Sequence, residues 1–327
     1  MPKLSIIICT RNRQHALQPM LDALGALRSV QSFEILLVDN ASTDDTRAHL
    51  DREAVRLPHA HVITVDRVGL GAARDAAWRV ARGDILLFTD DDCYVASDLV
   101  ERTVALFDQH PEMDFAGGRI LLHDPADLPV TIDERTVACP IAARRFVPPG
   151  TLQGANMAFR RSALERIGGF DPQFGAGTAF PCEDIDAVAA CVWAGLTGRF
   201  DPSIVVRHHH GRKQSDYPAL MAGYDRGRGA YYAKYLLRPA SRSAYAVGWL
   251  AATFRNLHRG NATTLARELN SARRYLIARR AWGAVAVGSL AAAIVFGGLW
   301  SAIFLNKLRL ASGIRPRTPS LEGVPPL

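Results

Sequence analysis

Three consecutive aspartates, Asp90, Asp91 and Asp92, follow a short apolar run that ends at Phe88. Adjacent carboxylates repel one another and raise each other's pKa unless a cation lies among them. Mg²⁺ and Mn²⁺ take oxygen ligands and bind through one or two carboxylates together with substrate phosphates. The run therefore predicts a divalent-metal site with Asp92 as the direct ligand, and with Asp90 or Asp91 contacting a ribose or a metal-bound water. A solvated acidic loop or a calcium site is the alternative.

Polar residues also follow the three preceding apolar runs, as Thr10-Arg11-Asn12, Asp39-Asn40 and Asp66-Arg67. In a doubly wound sheet, ligands lie beyond the carboxyl ends of the strands. Asp39 taken alone would be a turn former or a helix cap. The recurrence of polar residues at four successive run ends predicts a single ligand site at this edge of the sheet.

A glycine-rich turn, Gly69 to Asp75, follows the third run and opens a helical pattern. Backbone N–H groups at the start of a helix, together with Arg74, could hold an anion there. The turn is neither a Walker A motif nor a GxGxxG motif. Arg67 and Arg74 are therefore candidate anion ligands, with surface charges as the alternative.

Two carboxylates, Glu183 and Asp184, begin a later helical pattern. Acidic residues in a first turn complement the helix dipole, which is a purely structural explanation. A carboxylate that accepts a proton from an attacking hydroxyl, as a general base, is the functional explanation. The run His208-His209-His210 follows the next apolar run and offers one imidazole for the metal.

Short apolar runs alternate with helical patterns over the first 125 residues, and this alternation predicts a parallel α/β sheet. Between residues 115 and 150, glycines and prolines predict loops and edge strands. Ser162 and Glu165 form a capping box before a short helix that stops at Gly168. The predicted strands are 4–9, 34–38, 62–65, 85–88 and 203–207, and the predicted helices are 14–27, 43–55, 72–81, 98–107 and 183–194.

The composition is that of a globular protein, with 327 residues, 48% hydrophobic residues and a net charge of +7. Five cysteines without a CxxC pair indicate neither a disulfide framework nor a structural zinc, which favours a reducing compartment. The first apolar run is too short for a signal peptide. The N-terminal domain is therefore expected in the cytosol.

Residues 281–305 carry no charge, and residues 255–280 before them hold seven Lys or Arg against one Glu. Twenty-five residues at about 1.5 Å each exceed the roughly 30 Å hydrocarbon core of a bilayer. The segment predicts a transmembrane helix, with a membrane-lying or buried helix as the alternative. The predicted division is a catalytic domain at 1–240, a basic helical linker at 241–280, the hydrophobic helix at 281–305 and a flexible tail at 306–327.

Seven motifs in order resemble those of family 2 glycosyltransferases, over about residues 3–212. They are SIIICTRNR, LLVDNASTDDT, RVGLGAARDAAW, FTDDDCYVASDLVE, GANMAFRRSALERIGGFD, EDIDAVAACVWAG and VVRHHH. The resemblance implies the GT-A fold, which is a Rossmann-like, mostly parallel sheet flanked by helices. The hydrophobic pattern alone predicts the helical hydrophobic C-terminal extension that follows it. Arg-Asp at 74–75 departs from the commoner Arg-Asn, and Pro181-Cys182 replace a usual glycine.

The resemblance also implies a role for each matching residue. Thr10, Arg11 and Asp39 would hold the nucleoside, Arg67 and Arg74 would flank the diphosphate, and Asp90 and Asp92 would form a D-x-D motif with Asp91 between them. Asp184 would be the catalytic base and Glu183 would hydrogen-bond a sugar. Gly154 and Asn156 would line the sugar and acceptor pocket, and His208 would complete the coordination of Mn²⁺ or Mg²⁺.

The implied activity is inverting transfer of a sugar from a UDP-, dTDP- or GDP-linked donor to a hydroxyl of a lipid-linked, cell-envelope or polysaccharide glycan. The expected place is the cytoplasmic face of a membrane, reached through the C-terminal segment. One alternative is a nucleotidyltransferase acting on sugar phosphates, and another is a non-catalytic basic membrane-binding module. A nucleic-acid partner is not expected, because unpaired carboxylates would repel its phosphates.

Overall fold

The parallel half of the central sheet contains β1 (Leu4–Thr10), β2 (Phe33–Asp39), β3 (Ala60–Thr64) and β4 (Ile85–Asp90). The structure is a computed structural model that describes residues 1–258 and 261–286. These strands lie in the order β3-β2-β1-β4, and β1 pairs in parallel with both β2 and β4. Every residue of β1 is buried, as expected for a parallel strand between two helical layers. The predicted parallel α/β sheet is confirmed.

Four helices connect or follow these strands: α1 (Gln18–Gly25), α2 (Thr46–Ala54), α3 (Leu70–Val80) and α4 (Leu99–Gln109). Each corresponds to a predicted helix. The first begins at residue 18 rather than 14 because Pro19 lies in its first turn, where a missing N–H group costs nothing.

Further strands complete the sheet beyond β4: β5 (Cys93–Val95), β6 (Phe115–Leu122), β7 (Cys139–Ile141), β8 (Met157–Arg160) and β9 (Gly198–His208). The order continues β4-β8-β6-β9-β5, with β7 also pairing with β9. Strand β8 is antiparallel to both β4 and β6, so the sheet is mixed at this end. The sequence predicted only the second half of β9, because Pro202 interrupts its pattern.

Helices α5 (Arg161–Ile167) and α6 (Glu183–Trp193) pack against each other beside this end of the sheet. The predicted capping box is wrong, because α5 begins at Arg161 and its N-cap position makes no side-chain hydrogen bond. The predicted stop is confirmed, since Gly168 adopts the left-handed conformation with φ of 82° that favours glycine.

Further helices follow, namely α7 (Tyr217–Leu237), α8 (Arg242–His258) and α9 (Ala262–Ala278). Helices α7 and α8 are joined by buried tyrosines, and the hydroxyl groups of Tyr231 and Tyr245 are 2.6 Å apart. The C-terminal region is therefore helical, as predicted, but the described part is not the predicted hydrophobic extension. Helix α9, for example, exposes Arg267, Arg273 and Arg274.

Among the described residues, every helix is too short or too polar to cross a membrane. The predicted span at 281–305 lies outside the described residues from position 287 onward. Residues Met1–Tyr275 form one compact unit that contains the sheet and all of α8. The predicted division into four regions stays a prediction.

Glu34 of β2 links β1 and β2 to the loop after α3 through hydrogen bonds. We expect its contribution to the free energy of unfolding to depend on pH. Its carboxylate accepts hydrogen bonds from Ser5 Oγ at 2.6 Å and from Arg82 N at 2.5 Å and Nε at 2.8 Å. Burial alone would favour the neutral acid, but these bonds outweigh it and hold the pKa of Glu34 below its ordinary value. Glu34→Gln is expected to lower the free energy of unfolding at pH 7 by about 1–3 kcal/mol.

The sign of the pH effect follows from the lowered pKa. The stabilisation is fully present above the unfolded pKa, near 4.5, and is lost as the pH falls through the lower folded value. Urea denaturation at several pH values measures it, with the exposed Glu165→Gln as control. An equal loss for Glu34→Gln at pH 7 and pH 3 would contradict the assignment.

Candidate active site

A cleft of about 690 Å³ opens at the carboxyl ends of the parallel strands. It brings together most of the residues predicted for a site. Those that line it are Thr10, Arg11, Arg74, Asp90, Asp91, Asp92, Gly154, Glu183, Asp184 and His208. Three predicted residues, Asp39, Arg67 and Asn156, are not part of its lining.

The aspartate run and a histidine meet because β5 is antiparallel to β9, which places Cys93 opposite His208. The Nε2 atom of His208 is 3.1 Å from Oδ1 of Asp92. Ligand atoms of Asp90, Asp92, Cys93 and His208 all lie within 4.8 Å of one another. Burial raises the pKa of the Cys93 thiol well above its usual value, so the cysteine stays neutral and is a poor ligand for a hard ion.

The ionisation of the aspartates fits a cation at this place. Burial raises the pKa of Asp91 to about 6 and also raises the pKa of Asp90. For Asp92, the hydrogen bond and charge of His208 outweigh burial and lower the pKa. Because burial penalises three adjacent carboxylate charges, a divalent ion held by Asp90, Asp92 and the neutral imidazole of His208 would favour the ionised forms of the aspartates.

Arg74 is almost completely buried and links the aspartate run to the start of α6. Its Nη2 donates to Asp90 Oδ1 at 2.8 Å and its Nη1 to Glu183 Oε1 at 3.0 Å. Nη2 also donates to the carbonyl of Gly154 at 3.1 Å. The guanidinium therefore holds the two acidic elements together, and its implied place beside the diphosphate stays a prediction.

Replacement of Arg74 is expected to be severe. Arg74→Ala leaves the Asp90 and Glu183 carboxylates without their shared cation, and removing one member of a buried pair costs about 3–5 kcal/mol. Urea denaturation should therefore show a large drop in the free energy of unfolding. Arg67→Ala, at an exposed arginine just before α3, is the control. Equal stabilities of the two variants would refute a structural role for Arg74.

The two carboxylates at the start of α6 differ in accessibility and partners. Glu183 is buried against Arg74, and burial raises its pKa to about 7 although Arg74 opposes the shift. Asp184 is half-buried, and its Oδ2 accepts the N–H of Gly154 at 3.0 Å. Asp184 is therefore the carboxylate of the pair that is better placed to take a proton from a molecule in the cleft.

Gly154 has a steric reason to be glycine. A Cβ at this position would lie 2.6 Å from Nη1 of Arg74 and 2.9 Å from its Nη2. Any side chain would push the guanidinium away from its carboxylate partners. Gly154 thus contacts both Arg74 and Asp184 through its backbone alone.

The glycine-rich turn before α3 does not present the predicted anion site. The N–H groups of Leu70 and Gly71 donate to the carbonyls of Ala176 and Phe174. Asn40 holds the same turn, because its Oδ1 accepts the N–H of Gly69 at 2.8 Å. The first turn of α3 is therefore used to position the loop at 174–176 beside the cleft.

The three predicted residues outside the lining have other surroundings. Arg67 is exposed, with Nη2 3.5 Å from the carbonyl of Pro172. Asn156 is buried and donates from Nδ2 to the carbonyls of Arg119 and Ile204, so its side chain joins β6 to β9. Asp39 is buried at the end of β2, and its Oδ1 has no hydrogen-bond partner among the described residues.

Sequence reasoning missed several cleft residues, namely Arg13, Arg212, Tyr224 and Arg228. Arg13 Nη2 lies 3.3 Å from Asp92 Oδ2 and 3.5 Å from Asp91 Oδ1. Its position in the SIIICTRNR motif, just after β1, was the sequence signal that could have identified Arg13 as a site residue. The other three follow β9, where the quoted motifs end.

Arg228 of α7 is positioned by the two helices that follow it. Its Nε donates at 2.8 Å to Oε1 of Glu268, a buried residue of α9. Trp249 Nε1 of α8 donates to the other oxygen of Glu268, also at 2.8 Å. Both α8 and α9 therefore help to fix one wall of the cleft.

The family model of glycosyl transferase family 2 matches residues 5–168, which is half of the chain. The chain belongs to this family. The matched region includes β1 to β4, the aspartate run and Gly154. The family identified by sequence resemblance is thus confirmed.

Curated relatives match parts of the chain. The pre-mycofactocin glycosyltransferase of Mycobacterium tuberculosis is 25% identical over 232 residues, which cover 67% of this chain and 45% of that protein. The poly(ribitol-phosphate) beta-glucosyltransferase of Bacillus spizizenii is 33% identical over 103 residues, which cover 31% of this chain and 16% of that protein. The chain therefore spans less than half the length of these relatives.

Solved structures share the fold. The mannosyltransferase PcManGT of Pyrobaculum calidifontis, in complex with GDP-Man and Mn²⁺, superposes with a TM-score of 0.57 at 21% identity and covers 90% of this chain and 81% of its own. S. aureus TarS 1-349, in complex with UDP-GlcNAc, gives a TM-score of 0.58 at 16% identity and covers 84% and 80%. The GT-A fold is confirmed.

Proposed function

We propose that the protein is an inverting glycosyltransferase that moves a sugar from a nucleoside diphosphate to an acceptor hydroxyl. The observation that carries this proposal is the presence, in one cleft, of a metal-type acidic cluster and a separate accessible carboxylate, Asp184. Family membership supports the reaction class. The acidic cluster with a bound metal ion would bind the pyrophosphate of the donor, and the carboxylate of Asp184 would accept the proton of the attacking hydroxyl.

The donor end of the cleft is the side with Asp90, Asp92 and His208. These residues would hold Mn²⁺ or Mg²⁺, which when bound neutralises charge on the diphosphate leaving group. Arg11 and Arg13 line the same cleft and add positive charge for the phosphates. Asp39 lies outside the lining of the cleft, so its implied contact with the base or ribose stays a prediction.

Transfer proceeds by a single displacement. The acceptor oxygen forms a bond to the anomeric carbon while the bond to the diphosphate oxygen breaks, and the leaving nucleoside diphosphate takes the electron pair. The acceptor proton passes to Asp184. Because attack and departure occur on opposite faces of the sugar, the anomeric configuration inverts. Gly154 N–H keeps the Asp184 carboxylate oriented during this step.

The acceptor is proposed to be a lipid-linked, cell-envelope or polysaccharide glycan, and the donor a UDP-, dTDP- or GDP-linked sugar. Named relatives that act on poly(ribitol-phosphate) support a polymeric envelope acceptor. A place at the cytoplasmic face of a membrane is part of the same proposal.

The test is a panel of UDP-, dTDP- and GDP-linked sugars incubated with the full chain, with and without Mn²⁺ or Mg²⁺. Release of nucleoside diphosphate that depends on the metal, and that increases when membrane lipid extract is added, supports the proposal. Pyrophosphate release from a nucleoside triphosphate and a sugar phosphate would indicate nucleotidyl transfer instead. No binding of any nucleotide sugar, with or without metal, would refute both.

A further inference from the structure

Helix α8 exposes a stripe of large apolar side chains. Val247 is 68% exposed, Leu250 is 58% exposed and Phe254 is 71% exposed. At roughly 100° per residue, these three positions fall within about 60° of the helix circumference. They therefore form one continuous apolar surface, which we name the α8 stripe.

Helix α8 packs against the rest of the protein through residues outside the α8 stripe. Tyr245, on the opposite side of α8, is fully buried and contacts Tyr231 and Tyr235 of α7. Trp249 is also partly buried, and it hydrogen-bonds to Glu268 of α9. Helix α8 thus has one buried face that packs against α7 and α9, and a second apolar face, the α8 stripe, that is exposed.

Positive charge surrounds the α8 stripe. By the same helical spacing, Arg242 and Arg255 lie on its two opposite edges, and both are exposed. From residue 242 to residue 280 the sequence contains eight arginines and one acidic residue, Glu268, which is buried. An occupant of this surface must therefore be both apolar and negatively charged.

We propose that the α8 stripe docks on the surface of an anionic lipid bilayer. Helices with aliphatic and aromatic residues on one side and arginines at the edges lie in the interface, with the apolar side among the acyl chains and the cations at the headgroups. A second copy of the chain is the weaker candidate, because pairing two stripes would bring their flanking arginines together.

The first test reads the environment of the stripe itself. In a Cys139→Ser background, which removes the exposed cysteine, Leu250→Cys and Phe254→Cys are each labelled with an environment-sensitive dye. Val55→Cys is the matched control, because Val55 is an exposed apolar residue at the end of α2. Vesicles of phosphatidylcholine alone are compared with vesicles containing an equal part of phosphatidylglycerol.

Anionic vesicles should shift the emission of the dyes at 250 and 254 to shorter wavelength and allow quenching by acyl-chain nitroxides. Phosphatidylcholine vesicles should have little effect, and the dye at 55 should not respond. Because each dye reports its own position, the result is independent of any membrane contact by residues 281–305. Silent dyes at 250 and 254, an equal response at 55, or a shift without vesicles that grows with protein concentration would overturn the proposal.

A second test uses co-sedimentation. The triple variant Val247→Ser, Leu250→Ser, Phe254→Ser should lower the partition coefficient onto anionic vesicles by at least about tenfold. Val55→Ser combined with Val137→Ser should leave it unchanged. Unchanged partitioning of the triple variant would overturn the proposal. Donor hydrolysis without vesicles tests the proposed reaction separately, so the two ideas can fail independently.

Discussion

Asp184→Asn is expected to lower sugar transfer by about 10²–10⁴-fold while the affinity for the nucleotide-sugar donor stays near that of the unchanged protein. The amide keeps the size of the side chain, and its oxygen can still accept the N–H of Gly154. It has no basic oxygen left for the acceptor proton. Turnover with a saturating donor and acceptor, together with calorimetric donor binding, measures the two effects.

The control for this prediction is Asp216→Asn, an exposed carboxylate that does not line the cleft. It should change neither turnover nor donor affinity. Near-normal turnover of Asp184→Asn would show that another group accepts the proton. Loss of donor affinity along with turnover would instead place Asp184 at the donor.

Asp92→Asn should reduce turnover by at least about 10²-fold and weaken the response to added metal at the same time. Asp92 contributes an oxygen to the acidic cluster and also holds His208 at 3.1 Å. Its loss therefore disturbs two of the three ligands proposed for the ion. The measurement is donor hydrolysis against Mn²⁺ concentration, with Mn²⁺ binding followed by calorimetry in the presence of nucleoside diphosphate.

A second group of metal-type side chains, Asp124, Asp127 and His209, provides the matched control. Its carboxylates already have protein partners, since Asp127 accepts hydrogen bonds from Lys213 and from the backbone of Gly211. Asp124→Asn should leave the metal response unchanged. If the Mn²⁺ titration of Asp92→Asn were unaltered, or that of Asp124→Asn were shifted, the proposed metal site in the cleft would be wrong.

The parallel strands and the gathering of polar residues at their ends were predictable from sequence. Buried parallel strands are continuous apolar runs, and the residue after each run must lie at the carboxyl edge of the sheet. Asp90 and Thr10 were placed correctly for this reason. The bounds of β6 and β8 were not predicted, because Gly117 and Gly118 interrupt the first and the second has only four residues.

The partners of individual site residues could not be predicted. The pairing of Arg74 with Glu183 joins positions 109 residues apart, and it depends on how the fold brings α3 and the start of α6 together at the cleft. Local sequence shows a charged residue but not whether another element will bury it. Asn156 illustrates the same limit, because its motif position suggested a ligand contact while its amide joins two strands.

The contact between Glu268 and Arg228 has a practical consequence for protein engineering. The family model ends at residue 168, which invites shortened versions of the chain that stop soon after the last motif. A version ending at residue 240 would lack both Glu268 and Trp249, and Tyr231 would lose the hydroxyl of Tyr245. Shortened proteins intended for crystallisation or assay should therefore retain the residues up to Tyr275.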